Sequence, residues 1–262
     1  MTEVVLKTVE NGVALLTLNR PDRLNAWTGE MQVRFFDLLE ECAASEDVRA
    51  IVVTGAGRGF CAGADMQSLQ ALSGEGAPST SGDHDSRPVT FPVTIPKPII
   101  AAINGPCAGL GLVVALMCDL RFAASDAKLT TAFVRRGLVA EHGISWMLPR
   151  LIGPARALDL LLSGRVVVGS EAAELGLVNR VVDGDRVVAE ALDYARILAT
   201  ESSPASMAVI KRQVYGDCER ELDETVERAN ELMLESFGRP DFAEGVKSFV
   251  ERRPPRFAPI AH

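Results

Sequence analysis

The chain has 262 residues, a formal net charge of −8 and 47% hydrophobic residues. That length can bury a substantial core, as one large domain or a domain with an appendage, and the acidic balance argues against nucleic acid or an anionic membrane surface as the main partner. Five cysteines without a C-x-x-C pair and three dispersed histidines (His84, His142, His262) point to free thiols in a reducing compartment and give no support to a metal site.

Met1-Thr-Glu-Val has no basic n-region and no apolar run reaches transmembrane length, so a cytoplasmic location is expected. Val4 to Val9 and Val13 to Asn19 flank Asn11-Gly12, the pattern of a β-hairpin. Pro21 to Asn25 reads as a loop. Thr28 caps a helix that carries Met31, Phe35, Leu38, Leu39 and Cys42 at helical spacing and ends near Ser45.

Arg49-Ala-Ile-Val-Val-Thr54 is the short β-branched run of a buried strand. It leads into Gly55-Ala-Gly-Arg-Gly-Phe-Cys-Ala-Gly-Ala64-Asp65-Met66, where Asp65 suits the N-cap of a helix through Met66, Leu69 and Leu72. A strand, a glycine-rich turn and a helix start leave backbone N–H groups unpaired. An anion, or an oxygen that becomes one during a reaction, fits against the amide of Ala64. Nucleotide motifs do not match: Phe60 stands at the third glycine of G-x-G-x-x-G, and Gly164 to Ser170 lacks the P-loop lysine.

Ser73 to Pro92, rich in Ser, Gly, Pro, Asp and Thr, reads as a mobile loop with His84 at a solvated tip. Ile99 to Ile103 is a second buried strand, Asn104-Gly105 turns the chain, and Gly109-Leu110-Gly111 opens an apolar helix from Leu112 to Cys118. Two such corners can bring the amides of Ala64 and Leu110 together as a two-donor oxyanion hole.

A strand from Leu120 to Ala123, the segment Lys128 to Phe133 and a loop from Gly137 to Gly143 come next. Helices follow from Ile144 to about Leu151, from Pro154 with Leu158, Leu161 and Leu162, from Glu171 to Leu175 behind a Ser170 cap, and from Asp185 through Ile197. Helices Pro204–Tyr215, Glu219–Phe237 and Pro240–Arg252 end the chain without an intervening strand. The strand–helix alternation before them implies an α/β core with crossovers.

The chain resembles the crotonase (enoyl-CoA hydratase/isomerase) superfamily. The resemblance rests on Asn19-Arg-Pro-Asp-Arg-Leu-Asn-Ala26, Gly59-Phe-Cys-Ala-Gly-Ala-Asp65, Asn104-Gly-Pro-Cys-Ala-Gly-Leu-Gly111, Gly176-Leu-Val-Asn-Arg-Val-Val182 and Glu244-Gly-Val-Lys-Ser-Phe249, and so covers nearly the whole chain. It implies an α/β spiral of repeated ββα units over residues 1–200 and an all-helical oligomerisation section over 201–262, assembling trimers that can pair into hexamers. Coenzyme A would enter as part of a thioester substrate, with no separate cofactor. The oxyanion hole would fall on the N–H groups of Ala64 and Leu110. Contacts to coenzyme A would fall on Arg23, Leu24, Ala26, Ala62, Asp65 and Met66, and on Phe249 and Arg252 of a neighbouring subunit.

The two glutamates that hydratases of the family use are replaced here by Val113 and Phe133. Isomerases of the family keep one acid in the loop before the helix that contains Trp146, and here it is Glu141. Alone, an acid at that point merely complements a helix N-terminus; with the resemblance it becomes the single acid/base that moves a β,γ double bond to the α,β position. Three other readings remain: an enoyl-CoA hydratase, a catalytically silent acyl-CoA-binding protein, and a nucleophile elbow at Gly105-Pro-Cys107-Ala-Gly109, which lacks a suitably placed downstream histidine.

Overall fold

The alternating apolar runs assemble around one twisted sheet. A computed structural model describes residues 3–67, 70 and 85–260. β1 (Val5–Glu10) and β2 (Val13–Leu18) pair antiparallel. Asn11 and Gly12 turn between them at φ 51° and 79°, the left-handed pair that Asn-Gly adopts easily. β3 (Ala50–Gly55) and β4 (Ile99–Ile103) add in parallel, with Val13 opposite Ala50 and Ile51 opposite Ile99. β5 (Cys107–Ala108) leaves this sheet, and β6 (Leu120–Ala124) returns to it beside β4. β7 (Lys128–Thr130) and β8 (Val167–Val168) join β5 in a small second sheet, while β9 (Arg180–Val182) closes the first. The large sheet has the order β1-β2-β3-β4-β6-β9.

Both faces of β3 and β4 are covered, so these strands are apolar throughout rather than alternating. Ile51, Val53, Ile99, Ala101 and Ile103 share a core with Phe35, Phe36, Leu38 and Leu39 of α1 (Gly29–Ala44) and with α2 (Leu110–Leu116). Thr28 caps α1, its side chain accepting from the Met31 N–H at 3.2 Å. α2 begins two residues earlier than the sequence suggests, because Gly109 (φ 49°, ψ −120°) already makes the turn.

α3 (Ile144–Ile152), α4 (Pro154–Ser163) and α5 (Gly169–Leu175) follow. α4 buries Ala157 and Leu160 and leaves Leu158 and Leu162 exposed. Ser170 does not cap α5. The helix starts at Gly169, whose backbone presses on Ala124 O so closely that a Cβ would stand at 2.0 Å, and the Ser170 N–H donates to Ser125 O. α6 (Val187–Glu201) covers the opposite face of the sheet, setting Ala191, Ala195 and Ala199 at i, i+4 spacing against Ala50, Val52, Ile100 and Ala102.

The last helices are α7 (Pro204–Gly216), α8 (Leu222–Phe237) and α9 (Pro240–Glu251). α7 is tied to the core. Its Lys211 Nζ donates to Asp119 Oδ2 at 2.8 Å and to the carbonyls of Pro92 and Lys97 at 3.2 Å, and Tyr215 Oη donates to Asp119 Oδ1 at 3.1 Å. α8 and α9 expose Leu222, Leu234, Phe237, Phe249 and Val250.

The loop expected from Ser73 to Pro92 falls partly outside the described residues, as do Leu69, Leu72, His84 and His262. Its end, Asp85 to Pro92, is anchored rather than loose. Arg87 bonds Asp37 and Glu40 of α1 at 2.6 and 2.7 Å, bonds Asp85, and lies over the rings of Phe36 and Phe91.

Candidate active site

β3 and β4 run parallel, so their C-terminal ends lie side by side and the turns that leave them meet. Gly59-Phe-Cys-Ala-Gly-Ala64 and Gly105-Pro-Cys-Ala-Gly-Leu110 share the pattern G-x-C-A-G. The structure pairs them at equivalent positions: Cys61 bridges Cys107 in parallel, and the Ala108 N–H donates to Cys61 O at 3.0 Å. This internal repeat was not apparent while the two turns were read separately.

Gly63 sits at φ 102°, and a Cβ there would lie 3.0 Å from Ala108 O and 3.9 Å from Leu110 N. Only a glycine lets the first turn lie this close to the second. The Trp27 N–H donates to Gly63 O at 2.8 Å and the Asp65 N–H to Trp27 O at 2.9 Å. The Ala64 N–H between them points away from that ladder and has no acceptor among the described residues. Leu110 is the first residue of α2, so its N–H has no intrahelical acceptor either. Two unpaired donors at neighbouring corners suit an oxygen that carries negative charge.

Two asparagines hold the turns. Asn104 Nδ2 donates to Gly55 O and Gly57 O at 2.9 and 3.0 Å, while its Oδ1 accepts from the Gly55 N–H at 3.3 Å. Asn25, fully buried and left-handed at φ 55°, donates to Ala56 O and Gly59 O and accepts from the Arg20 N–H. Both lie in motifs visible in the sequence, but their partners are about 30 to 50 positions away. For Asn25 alone, the left-handed tolerance of asparagine gave a hint.

These corners open onto a cavity of about 650 Å³. Arg23, Ala26, Ala62, Asp65 and Met66 line it, together with Ala64, Leu110 and Glu141. Thr131, Ala132, Phe133, Arg136, Leu138 and His142 complete much of the wall. Leu24 contributes structurally: it is left-handed at φ 49°, its carbonyl accepts from the Ala62 N–H at 2.9 Å, and its side chain packs over Gly59. Phe249 and Arg252 are not part of this cavity. Phe249 is 84% exposed and lines a separate one of about 560 Å³ on the C-terminal helices, with Ser203, Phe242, Val246 and Phe257.

The two carboxylates that line it among the described residues differ. Asp65 is held: its Oδ1 accepts from the Gln67 N–H at 3.0 Å and its Oδ2 pairs with Arg20 Nη1 at 3.0 Å. The Gln67 amide and then the Arg20 guanidinium keep its carboxyl below the usual range. Among the described residues the Glu141 carboxylate has one charged-group contact, His142 Nε2 at 3.8 Å, and its side chain is 33% exposed. Of the apolar residues next to it in sequence, Ile144 is buried and Val139 faces solvent. Val113 is fully buried in α2, and Phe133 presents an apolar face to the cavity. Cys107 is fully buried and does not line the cavity; burial pushes its thiol up, the opposite of what a nucleophile needs.

Comparison with known proteins is consistent over the full length. The family model described as enoyl-CoA hydratase/isomerase matches residues 8–259. An Escherichia coli protein named 1,2-epoxyphenylacetyl-CoA isomerase is 35% identical, with 98% of this chain and 99% of that one covered. A probable enoyl-CoA hydratase of Bacillus subtilis is 33% identical over 95% of this chain and 96% of the relative. A crystal structure of a probable enoyl-CoA hydratase/isomerase from Mycobacterium abscessus superposes with a TM-score of 0.89 at 32% identity, covering 98% and 99% of the two chains. An enoyl-CoA hydratase structure from Mycobacterium marinum is 50% identical, with a TM-score of 0.72 and coverage of 84% and 100%. The fold is accordingly the crotonase fold, and the chain belongs to the enoyl-CoA hydratase/isomerase family.

Proposed function

We propose that the protein is an enoyl-CoA isomerase that shifts a β,γ double bond to the α,β position, with Glu141 as its single acid/base. The observation that carries this is the contrast among the lining side chains. Among the described residues Glu141 is the lining carboxylate whose side chain no arginine or backbone N–H holds, while Val113 and Phe133 leave the two positions used for hydration without an acid. Adding water needs one group to activate the water and another to protonate carbon. Moving a double bond needs one base within reach of both Cα and Cγ.

In this reading the thioester oxygen accepts hydrogen bonds from the N–H groups of Ala64 and Leu110. The Glu141 carboxylate takes a proton from Cα, and the electron pair of that C–H bond becomes the Cα=C bond of a dienolate. The negative charge rests on the thioester oxygen. The carboxyl then returns the proton to Cγ, which restores the carbonyl and leaves the double bond conjugated. Atoms and charge balance without a metal or redox partner. Arg23 suits a phosphate oxygen of coenzyme A because guanidinium is permanently charged and fork-shaped, and Ala26, Ala62, Asp65 and Met66 flank it on the same wall. Phe249 and Arg252 would reach that thioester from a neighbouring subunit, in a trimer formed by the exposed faces of α8 and α9.

The isomerase name of one relative supports the reading, and the hydratase names of others supply the rival. The test is to offer the protein a β,γ-enoyl-CoA and, separately, its conjugated isomer in water. Isomerisation should exceed hydration by at least about a hundredfold, the low end of what one positioned acid/base contributes. Efficient hydration would return the protein to the hydratases, and absence of both reactions would leave an acyl-CoA-binding protein.

A further inference from the structure

Two consecutive arginines follow Phe133, and the fold gives them different surroundings. Arg135 Nε donates to Ser163 O at 3.2 Å and so ties down the C-terminal end of α4. Arg136 is solvent-exposed and lines the cavity, which Phe133, Leu138 and Glu141 also line. Its Nη1 donates to Ala132 O at 3.2 Å, the only partner of the guanidinium among the described residues. Ala132 is left-handed at φ 58°, a conformation that a residue with a Cβ seldom adopts.

A guanidinium has five N–H donors, so Arg136 keeps most of them unpaired beside the apolar side chains of Ala132, Phe133 and Leu138. No ion pair joins it to Glu141 or to another acid among the described residues. A purely hydrocarbon acyl chain offers those donors no partner, and packing over them would cost their hydration. A carboxylate would satisfy them in a charge-assisted, two-point contact.

We propose that Arg136 selects acyl-CoA substrates whose acyl group carries a carboxylate at its far end. This rests on the reading of the cavity as an acyl-CoA site and deepens it by naming a substrate class. It is independent of which reaction Glu141 performs.

Binding of saturated, unreactive thioesters separates the two questions. Isothermal titration would compare glutaryl-CoA with pentanoyl-CoA and suberyl-CoA with octanoyl-CoA, pairs of equal carbon number that differ in a terminal carboxylate against a methyl. At least one carboxylate-ended thioester should bind about tenfold or more tightly than its methyl-ended counterpart, and Arg136→Met and Arg136→Gln should remove that preference. Two results would overturn the proposal. One is the absence of any preference in the wild type. The other is an equal loss for both members of each pair and for free coenzyme A, which would make Arg136 a phosphate contact. If no thioester bound at all, the acyl-CoA reading itself would fail. If binding is selective but no double bond moves, the isomerase reading fails and the selectivity stands.

Discussion

Gly63 lies against the amide of Leu110: a Cβ on residue 63 would stand 3.9 Å from that nitrogen and 3.0 Å from Ala108 O. Two turns from separate strands therefore meet over a single hydrogen atom's width of side chain. Gly63→Ala forces a left-handed residue (φ 102°) against a carbonyl. The strain should cost about 1–3 kcal/mol of stability. If the turns part to relieve it, the proposed oxyanion donors separate, and turnover should fall roughly a hundredfold, as for loss of one donor. Thermal melts and kcat on the same sample measure both effects. Full turnover by a folded Gly63→Ala protein would place the oxygen site elsewhere.

Glu141→Gln keeps the size of the side chain and much of its hydrogen bonding while removing the base. Isomerisation should drop by at least about a hundredfold. Affinity for a saturated acyl-CoA should stay within a few-fold, because the proposed thioester contacts lie on other residues. A variant that isomerises at the wild-type rate would mean that another group moves the proton.

Lys211 joins α7 to the turn between α2 and β6 through Asp119, with side chains only 9% and 18% exposed. Breaking a buried ion pair by removing one partner typically costs about 3–5 kcal/mol. Lys211→Met should lie at the low end, since Asp119 keeps the Ile99 N–H at 2.7 Å and Tyr215 Oη. Urea unfolding would show this as a lower midpoint at unchanged slope. A change below about 1 kcal/mol would mean that α7 is held mainly by its apolar contacts.

Burial pushes the thiols up, to about 11 for Cys42 and to about 12 for Cys61 and Cys118, with Cys107 also raised. Native protein treated with iodoacetamide near pH 8 should gain one adduct, on the exposed Cys218. The same shifts predict a pH dependence of stability. Above about pH 8.5 the unfolded chain releases thiol protons that the folded chain retains. Stability should therefore decline from there towards about pH 11 to 12. Lys97, whose ammonium burial disfavours, works in the opposite sense. Rapid alkylation of Cys107 in folded protein would contradict this packing.

α8 and α9 leave Leu234, Phe237, Phe249 and Val250 at the surface. Exposed apolar side chains gathered on two helices suit burial against another subunit. Light scattering at micromolar concentration should give a trimer or a pair of trimers. A monodisperse monomer would reject the assembly and, with it, any role for Phe249 and Arg252 at a neighbour's site.

The elements most legible in the sequence were those whose signals are local. Asn11-Gly12 marks its hairpin and Thr28 marks the start of α1, because turn and cap chemistry act within four residues. The small sheet of β5, β7 and β8 escaped notice, since strands of two or three residues carry no readable period. The same limit hid the work of Asn25 and Asn104, which bond across long stretches of chain. The glycine corners singled out the amides of Ala64 and Leu110, whereas Glu141 stood out as an acid/base only through family resemblance, and their shared cavity arises from the parallel pairing of β3 with β4. Nothing in the sequence says which of two adjacent exposed arginines borders the cavity, here Arg136.

The paired corners also divide chemistry from taste. The donors at residues 64 and 110 are main-chain atoms, identical whatever side chain the codon specifies, while the side chains of the same two residues form part of the cavity wall. A lineage can therefore reshape what the pocket accepts, one substitution at a time, without disturbing the device that would hold the oxygen. The glycines behind those corners have no such freedom. Drift in this protein should thus appear as new substrates long before it appears as a lost reaction.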